Sequence, residues 1–487
     1  MNKRNLYIAI VCSAVVFTSS CKREFLDPAL KTSVAAENAF DTQFRIESQA
    51  NSLYGSLKNG SFYGGRYLVY GSIRGEDFIN ETGNLVTASD VWSMNLANSA
   101  TSVKSLWSQA YVTINRCNVF IDGMASKGNS VVGDALGAKY TAEARLIRAL
   151  SYYSLLQVFA RPYADGNGSK PGLPLRLTGI TGPGFSDLAR STVDQVYTQI
   201  ISDLNYAEAN LPATNATALL NTTRAHKNTA IALKTRVYLS MGKWTDVITE
   251  ANKLVPAVAP FKAKVNVPND LVSDIASVFK TPYTTAESVF SLPMTTSASP
   301  LDYPGTQNSL ASYFYFTNAT PGTTEFSLNP AGVIANTGWK STDKRRALIF
   351  TSAASKQFVA KFTTASPYTD YVPVIRWAEV LLNLAEARVR STNTVDAQAL
   401  LLLNAVRQRS DATTVLAPAT VSDFTDALLL ERRIEFLGEG LRAPDLTRLL
   451  LTIPLKGSAP AKSPTETGYI WPISSEELSL NRLMTDN

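Results

Sequence analysis

Histidine occurs once in this 487-residue chain, at His226, and cysteine three times, at Cys12, Cys21 and Cys117. A solitary imidazole removes catalytic triads, His-rich zinc sites and paired histidine acid–base devices, because each needs histidine at the reacting centre. Paired carboxylates could still do acid–base work on residue type alone. No nucleophile elbow, P-loop or dinucleotide fingerprint is present, however. Glu379 and Glu386 lie seven residues apart on a helical pattern and read as scaffold carboxylates, since nothing in the sequence makes them converge. No catalytic residue, metal ligand or cofactor site is therefore assigned.

Aromatic faces and planar polar groups are the residue types that hold a neutral polar ligand, so exposed Trp or Tyr with Asn, Arg or Asp close by would be the raw material of a binding site. Two irregular stretches supply these types. The first, residues 56–100, is rich in glycine and carries Arg74, Asp77, Asn80, Trp92 and Asn95. The second, residues 256–371, is rich in Pro, Thr, Ser, Gly and Asn and carries Tyr313, Tyr315 and Trp339. Long irregular segments inside a compact domain commonly carry function. Each aromatic also has a second reading. A tryptophan in a loop can be a buried anchor, and Tyr313 and Tyr315 alternate with Phe314 and Phe316 as strand residues do.

Helical segments must position these stretches. Apolar steps of three and four run through residues 138–159 and 193–211 and stop at Arg161-Pro162 and Pro212. Residues 229–241 read as a helix closed by Gly242, with residues 244–255 running back, which together resemble one tetratricopeptide-like hairpin. Residues 373–389 and 395–409 form a similar pair. No repeat of fixed length is legible. The fold class is mainly α: a degenerate helical scaffold over residues 35–255 and 372–450, with a loop-rich insert of short strands over 256–371.

The amino terminus reads as a secretory leader. Lys3 and Arg4 precede an apolar run over residues 6–17, shorter than the roughly 20 residues of a bilayer-crossing helix, and Thr18-Ser19-Ser20-Cys21 follows. Small residues ahead of a cysteine resemble a lipobox, so residues 1–20 are assigned as the signal and Cys21 as the lipidation site, with residues 21–487 as one domain. Cys117 is then the sole thiol, in an apolar-periodic stretch where it reads as a small buried hydrophobe. Of the formal net charge of +6, Lys3 and Arg4 supply two, leaving +4. That mild balance, without a basic run or a recognition motif, gives nucleic acid no electrostatic foothold.

Four blocks occur in a fixed order along the chain: Ala142-Glu143-Ala144-Arg145 through Tyr152-Tyr153; Arg376-Trp377-Ala378-Glu379 through Glu386-Ala387; Glu431-Arg432-Arg433-Ile434-Glu435-Phe436 with Gly438-Glu439-Gly440, Arg442, Asp445 and Arg448; and Tyr469 through Trp471-Pro472-Ile473 to Asn481. With Cys21 and Phe25-Leu26-Asp27, they resemble the signature of the SusD/RagB-like family over nearly the whole mature chain. The resemblance implies a tetratricopeptide-like helical core and a ligand face of inserted loops. It also implies a glycan or peptide ligand, a lipid anchor in the outer membrane facing the exterior, and a SusC-like TonB-dependent transporter as partner. It places sugar contacts at Trp92 and Asn95, whose spacing of three matches starch-binding members, and aromatic contacts in the region of Tyr313, Tyr315 and Trp339. The block charges themselves read as ion pairs at helix junctions, and Gly438 and Gly440 as a helix end with positive φ. A surface glycosidase or peptidase would need two carboxylates about 5 to 10 Å apart, to which the sequence does not point. A structural or adhesion lipoprotein is the third reading.

Overall fold

The computed structural model describes residues 38–182, 184, 186–296, 302–315 and 324–487. The signal, Cys21, the Phe25-Leu26-Asp27 segment and Phe316 lie outside the described residues. The apolar periodicity is realised as stacked helices: α1 Gln43–Leu57, α2 Arg66–Ile73, α3 Thr101–Gly123, α4 Asp134–Phe159 and α5 Val193–Asn210 in the first half. Side chains fix where they start. The Thr42 hydroxyl accepts the Arg45 amide at α1, and Thr192 and Gln195 form a reciprocal capping box at α5. α4 is the central member, packed between α3 and α5, and most of its residues from Tyr140 to Phe159 are buried.

Helices α6 (Lys227–Ser240) and α7 (Trp244–Leu254) form the expected hairpin, turned by Gly242 at φ 67°. A second hairpin follows from α8 (Trp377–Thr392) and α9 (Ala397–Ser410), turned by Asn393 at φ 51°, and α7 packs on α8 to join the two. The chain continues through α10 (Val421–Glu435), α11 (Arg442–Arg448) and α12 (Ser475–Leu480). Its last residues return to the first half: the Trp471 amide donates to the Val158 carbonyl at 3.0 Å, and the Asn487 side-chain amide to Phe159 at 2.8 Å.

Among the described residues there are six short strands, five in the irregular stretches and the sixth directly after the second: β1 Phe78–Asn80, β2 Ser288–Leu292, β3 Phe326–Leu328, β4 Ile349–Thr351, β5 Gln357–Val359 and β6 Val372–Arg376. They pair antiparallel as β1–β3, β2–β6 and β4–β5. Three expectations are corrected. Residues 373–376, read as the start of a helix, are strand β6, because Val372, Val374 and Ile375 are buried in a ladder with β2 that a helix could not form. Of residues 312–316, read as strand-like, 312–314 instead belong to one helical turn over Leu310–Phe314 capped by Ser309. Residues 66–73, inside the first irregular stretch, form α2 despite Gly71. A Cβ there would meet the Gly440 carbonyl oxygen at 2.1 Å, so this glycine serves close packing rather than irregularity. Gly438 and Gly440 do adopt positive φ, 80° and 83°. Cys117 is buried and unpaired, with burial pushing its thiol up to about 12.

Candidate functional site

The charged blocks are structural at every position seen. Arg148 grips Asp203 at 2.8 Å, Arg236 grips Glu379 at 2.6 Å, and Arg448 grips Glu386 at 2.7 Å. At the centre, five cations (Arg345, Lys361, Arg376, Arg407 and Arg409) are interleaved with five anions (Glu287, Asp343, Glu431, Glu435 and Glu439), all buried. Arg376 alone pairs with Glu287, Glu435 and Glu439. Burial by itself would raise the Glu435 carboxyl, but Arg409, Arg376 and Arg345 hold it well below the usual carboxylate range. Glu439 is likewise lowered, against its burial, by Arg376 and Lys361. Each of the five carboxylates is committed to a guanidinium or ammonium. The cluster therefore ties helix ends together through ion pairs.

The two irregular stretches come together as expected. Strand β1 of the first pairs with β3 of the second in the register Phe78↔Leu328, Ile79↔Ser327, Asn80↔Phe326. Phe78 packs on Phe314 with centroids 4.8 Å apart, and the Thr87 hydroxyl donates to Glu325 at 2.7 Å.

Of the eight candidate side chains, five are nevertheless buried, and Asn80, half-buried in β1, accepts from the Gly83 amide at 2.6 Å. Trp92 is 7% exposed and its indole N–H donates to the Phe78 carbonyl at 2.7 Å. Arg74 donates to the Tyr469 carbonyl at 2.6 Å. Asp77 accepts from Arg433 at 2.8 Å and from the Val333 amide at 2.7 Å. Tyr313 stacks on Phe326 and donates its hydroxyl to Gln307, and Trp339 lies under the Arg346 guanidinium at 4.1 Å. The physical reason is common to all five. Segments with few ladder hydrogen bonds are held by their own large side chains, so their aromatics become core and their charges become ties. In this conformation those five present no ring face or polar group to a ligand. Asn95 is exposed and Tyr315 half-buried, and neither side chain has a hydrogen-bond partner among the described residues. The Tyr315 ring lies edge-on to that of Phe350, with centroids 6.2 Å apart. Leu85 and Val86, which residue type did not single out, stand 69% and 50% exposed on the same first stretch. The Gly83-Asn84 turn before them was the available signal.

Beneath Trp92, two cations lie side by side. The Lys456 ammonium donates to the Arg74 carbonyl at 3.0 Å and sits 6.0 Å from the Trp92 ring centroid. Burial, and then Arg74, pull Lys456 down to about 7.

A separate cleft of ≈ 730 Å³ opens between α3, the segment around residues 176–180 and α12, within the size range of ligand sites. Trp107 and Tyr111 line it with their rings tilted 39° and centroids 5.0 Å apart, and the Trp107 indole donates to Glu477 at 3.2 Å. Among the described residues no cluster of three or more His, Cys, Asp and Glu could hold a metal ion, and no helix is long and apolar enough to cross a membrane.

Comparison with known proteins shows the family. Residues 24–239 match a family model described as starch-binding, associating with outer membrane, and residues 314–487 match that of the SusD family. A SusD superfamily protein of Bacteroides fragilis is 32% identical, its structure superposing with a TM-score of 0.81 over 92% of this chain and 100% of that one. The SusD-like protein P2 of Formosa agariphila is 25% identical over 86% of each chain. The surface glycan-binding protein A of Bacteroides thetaiotaomicron, solved in complex with laminarihexaose, shares the fold at a TM-score of 0.72 and 18% identity, over 90% of this chain and 97% of that one.

Proposed function

Because this chain belongs to the SusD/RagB-like family, we propose that it is a non-catalytic receptor that captures an oligosaccharide or polysaccharide at the cell surface and passes it to a SusC-like TonB-dependent transporter. The observation that supports the reading is the β1–β3 junction, which joins the two irregular stretches on the helical scaffold; on these stretches the side chains of Asn95 and Tyr315 have no hydrogen-bond partner among the described residues. A neighbour of the same fold solved with a β-glucan hexasaccharide supports a glycan as the ligand class. In this reading Tyr315 supplies the stacking face and Asn95 a planar amide. Trp92, Arg74, Asp77, Tyr313 and Trp339 form the layer that holds them. Delivery to the transporter and lipidation at Cys21 belong to the same proposal.

Calorimetric titration of the purified protein with laminari- and malto-oligosaccharides tests it. Tyr315→Ala and Asn95→Ala are expected each to weaken binding at least tenfold while leaving the melting temperature in place. Unchanged affinity in both variants would move the site elsewhere, and release of shorter sugars would replace the receptor with a hydrolase.

A further inference from the structure

The ≈ 730 Å³ cleft beside α3 shares no lining residue with the β1–β3 junction. Residues 176–180 run along α3 as its opposite wall and are tied to it at both ends. The Asn118 side-chain amide donates to the Arg176 carbonyl at 2.8 Å, and Asn115 is locked to the Ile180 backbone by two bonds, of 2.9 and 2.8 Å. The other amide and the carboxylates of the walls are engaged as well. Asn481 exchanges two bonds with the Leu188 backbone and donates to Glu477 at 2.8 Å, Glu477 also accepts from the Trp107 indole, and Glu476 pairs with Lys104 at 3.4 Å. The Tyr111 hydroxyl donates to the Pro174 carbonyl at 3.0 Å, so this residue has its ring surface left to offer.

Two guanidinium groups in the same walls are the exception. Arg116 is exposed and has no hydrogen-bond or ion-pair partner among the described residues. Arg176 is the stronger sign. Its backbone is pinned on both sides by the Tyr152 hydroxyl, at 2.7 and 2.8 Å, and its side chain is only 17% exposed. Its guanidinium nevertheless makes no hydrogen bond among the described residues and meets Glu477 only at 3.6 Å, longer than a hydrogen bond. A group with five N–H donors, largely withdrawn from water and without an acceptor, calls for one from outside the chain. Around it, Val112, Ile180 and Leu480 stand 40%, 40% and 64% exposed and form an apolar rim. Behind the rim, Phe159 lies edge-on to Trp107 and Tyr152 edge-on to Tyr111, and this aromatic cluster ends at the cleft in the half-buried Tyr111 ring.

We propose that the α3 cleft binds a small aromatic carboxylate, its ring against Tyr111 and the rim of Val112, Ile180 and Leu480, its carboxylate on Arg176, and Arg116 at the mouth. An aromatic ring extends the Trp107–Tyr111 cluster by the offset and edge contacts that such rings favour. A carboxylate supplies the planar pair of acceptors that a guanidinium fork matches, in charge-assisted bonds stronger than neutral ones. The same walls discriminate against other ligands. A neutral sugar needs acceptors as well as donors for its hydroxyls, and the wall amides and carboxylates are already partnered. An organic cation would meet two guanidinium groups. The cleft is therefore a second site, chemically unlike the one proposed for the glycan, and it stands whether or not that reading holds.

Calorimetric titration of the purified protein with naphthoate, set against its uncharged counterpart naphthamide, tests the proposal. Naphthoate should fill one saturable site at least ten times more tightly than naphthamide. Arg176→Gln should weaken naphthoate binding at least fivefold and leave naphthamide within twofold, which a collapsed cleft would not do. Arg116→Gln, at an exposed position, should act in the same direction by at least twofold. Val112→Trp fills the cleft from its exposed rim and should weaken both probes at least tenfold with the melting temperature retained. Tyr315→Ala and Asn95→Ala, the variants that test glycan capture, should leave naphthoate affinity unchanged. Equal affinity for the two probes would overturn the proposal, as would undiminished naphthoate binding in the Arg116→Gln, Arg176→Gln double variant. Displacement of naphthoate by laminari- or malto-oligosaccharides would overturn it too, by making the cleft a glycan subsite.

Discussion

Replacing Arg376 by methionine should be among the most damaging single changes in the protein, and the balance of the central cluster says why. Five buried cations face five buried anions. Losing the Arg376 guanidinium removes its bonds to Glu439 at 2.8 Å and Glu435 at 2.8 Å together with the Glu287 pair, and leaves five carboxylates facing four cations. Removing one partner of a buried ion pair costs about 3–5 kcal/mol, and a residue shared among three carboxylates belongs at the upper end. At ~2.1 cal/mol/K per residue, a chain of roughly 450 folded residues has an unfolding entropy of ~0.9 kcal/mol/K, so the melting temperature should fall by roughly 3–6 °C. The decisive measurement is a double-mutant cycle by denaturant titration. Glu439→Gln added to Arg376→Met restores the balance at four and four, so the double variant should be more stable than the Arg376→Met single by at least ~1 kcal/mol, and far from additive. Additive losses would show that the charges act as separate surface-like pairs and that their balance is immaterial.

Trp92→Ala should lower stability by roughly 3–5 kcal/mol, the typical cost of truncating a buried tryptophan, with glycan affinity changed less than tenfold; retained stability with lost binding would return Trp92 to the ligand. Lys456 has a folded value of about 7 against 10.5 for the free ammonium, so between these values the unfolded chain binds the extra proton. Stability should therefore rise as pH is raised from 7 towards 10.5, by at most about 1.4 kcal/mol per unit, and Lys456→Met should flatten that slope; identical slopes in the two proteins would refute the assignment. Cys21→Ala should release the protein from outer-membrane fractions in cells lacking the partner transporter, since three acyl chains at ~0.8 kcal/mol per buried CH₂ anchor firmly, and persistence in the membrane would rule Cys21 out as the anchor.

The helical scaffold was legible because its periodicity and its stops are local. Pro212 and Gly242 mark ends that the structure reproduces within one or two residues. Strand β6 was not, since residues 373–376 become a strand only through β2, more than eighty residues earlier in the chain. At the candidate site, residue type singled out two irregular stretches but not the β1–β3 pairing that joins them. It could not rank Trp92 against Asn95, because exposure in a loop is decided by partners far along the chain: Phe78 for Trp92, Tyr469 for Arg74, Arg433 for Asp77. The Glu-Arg-rich block gave a truer signal. Opposite charges three and four apart on an apolar helix foretold ion pairing, although neither the Glu287 nor the Arg345 contribution could be read from within the block.

The return of the carboxyl terminus to α4 governs the order in which the protein can finish folding. The carbonyls of Val158 and Phe159 receive their partners from Trp471 and Asn487, so a chain emerging amino terminus first holds its central helix without the groups that seal its end until the final residues have been made. Closure of that end of α4 therefore waits on residues 471–487, however early the helix itself has formed.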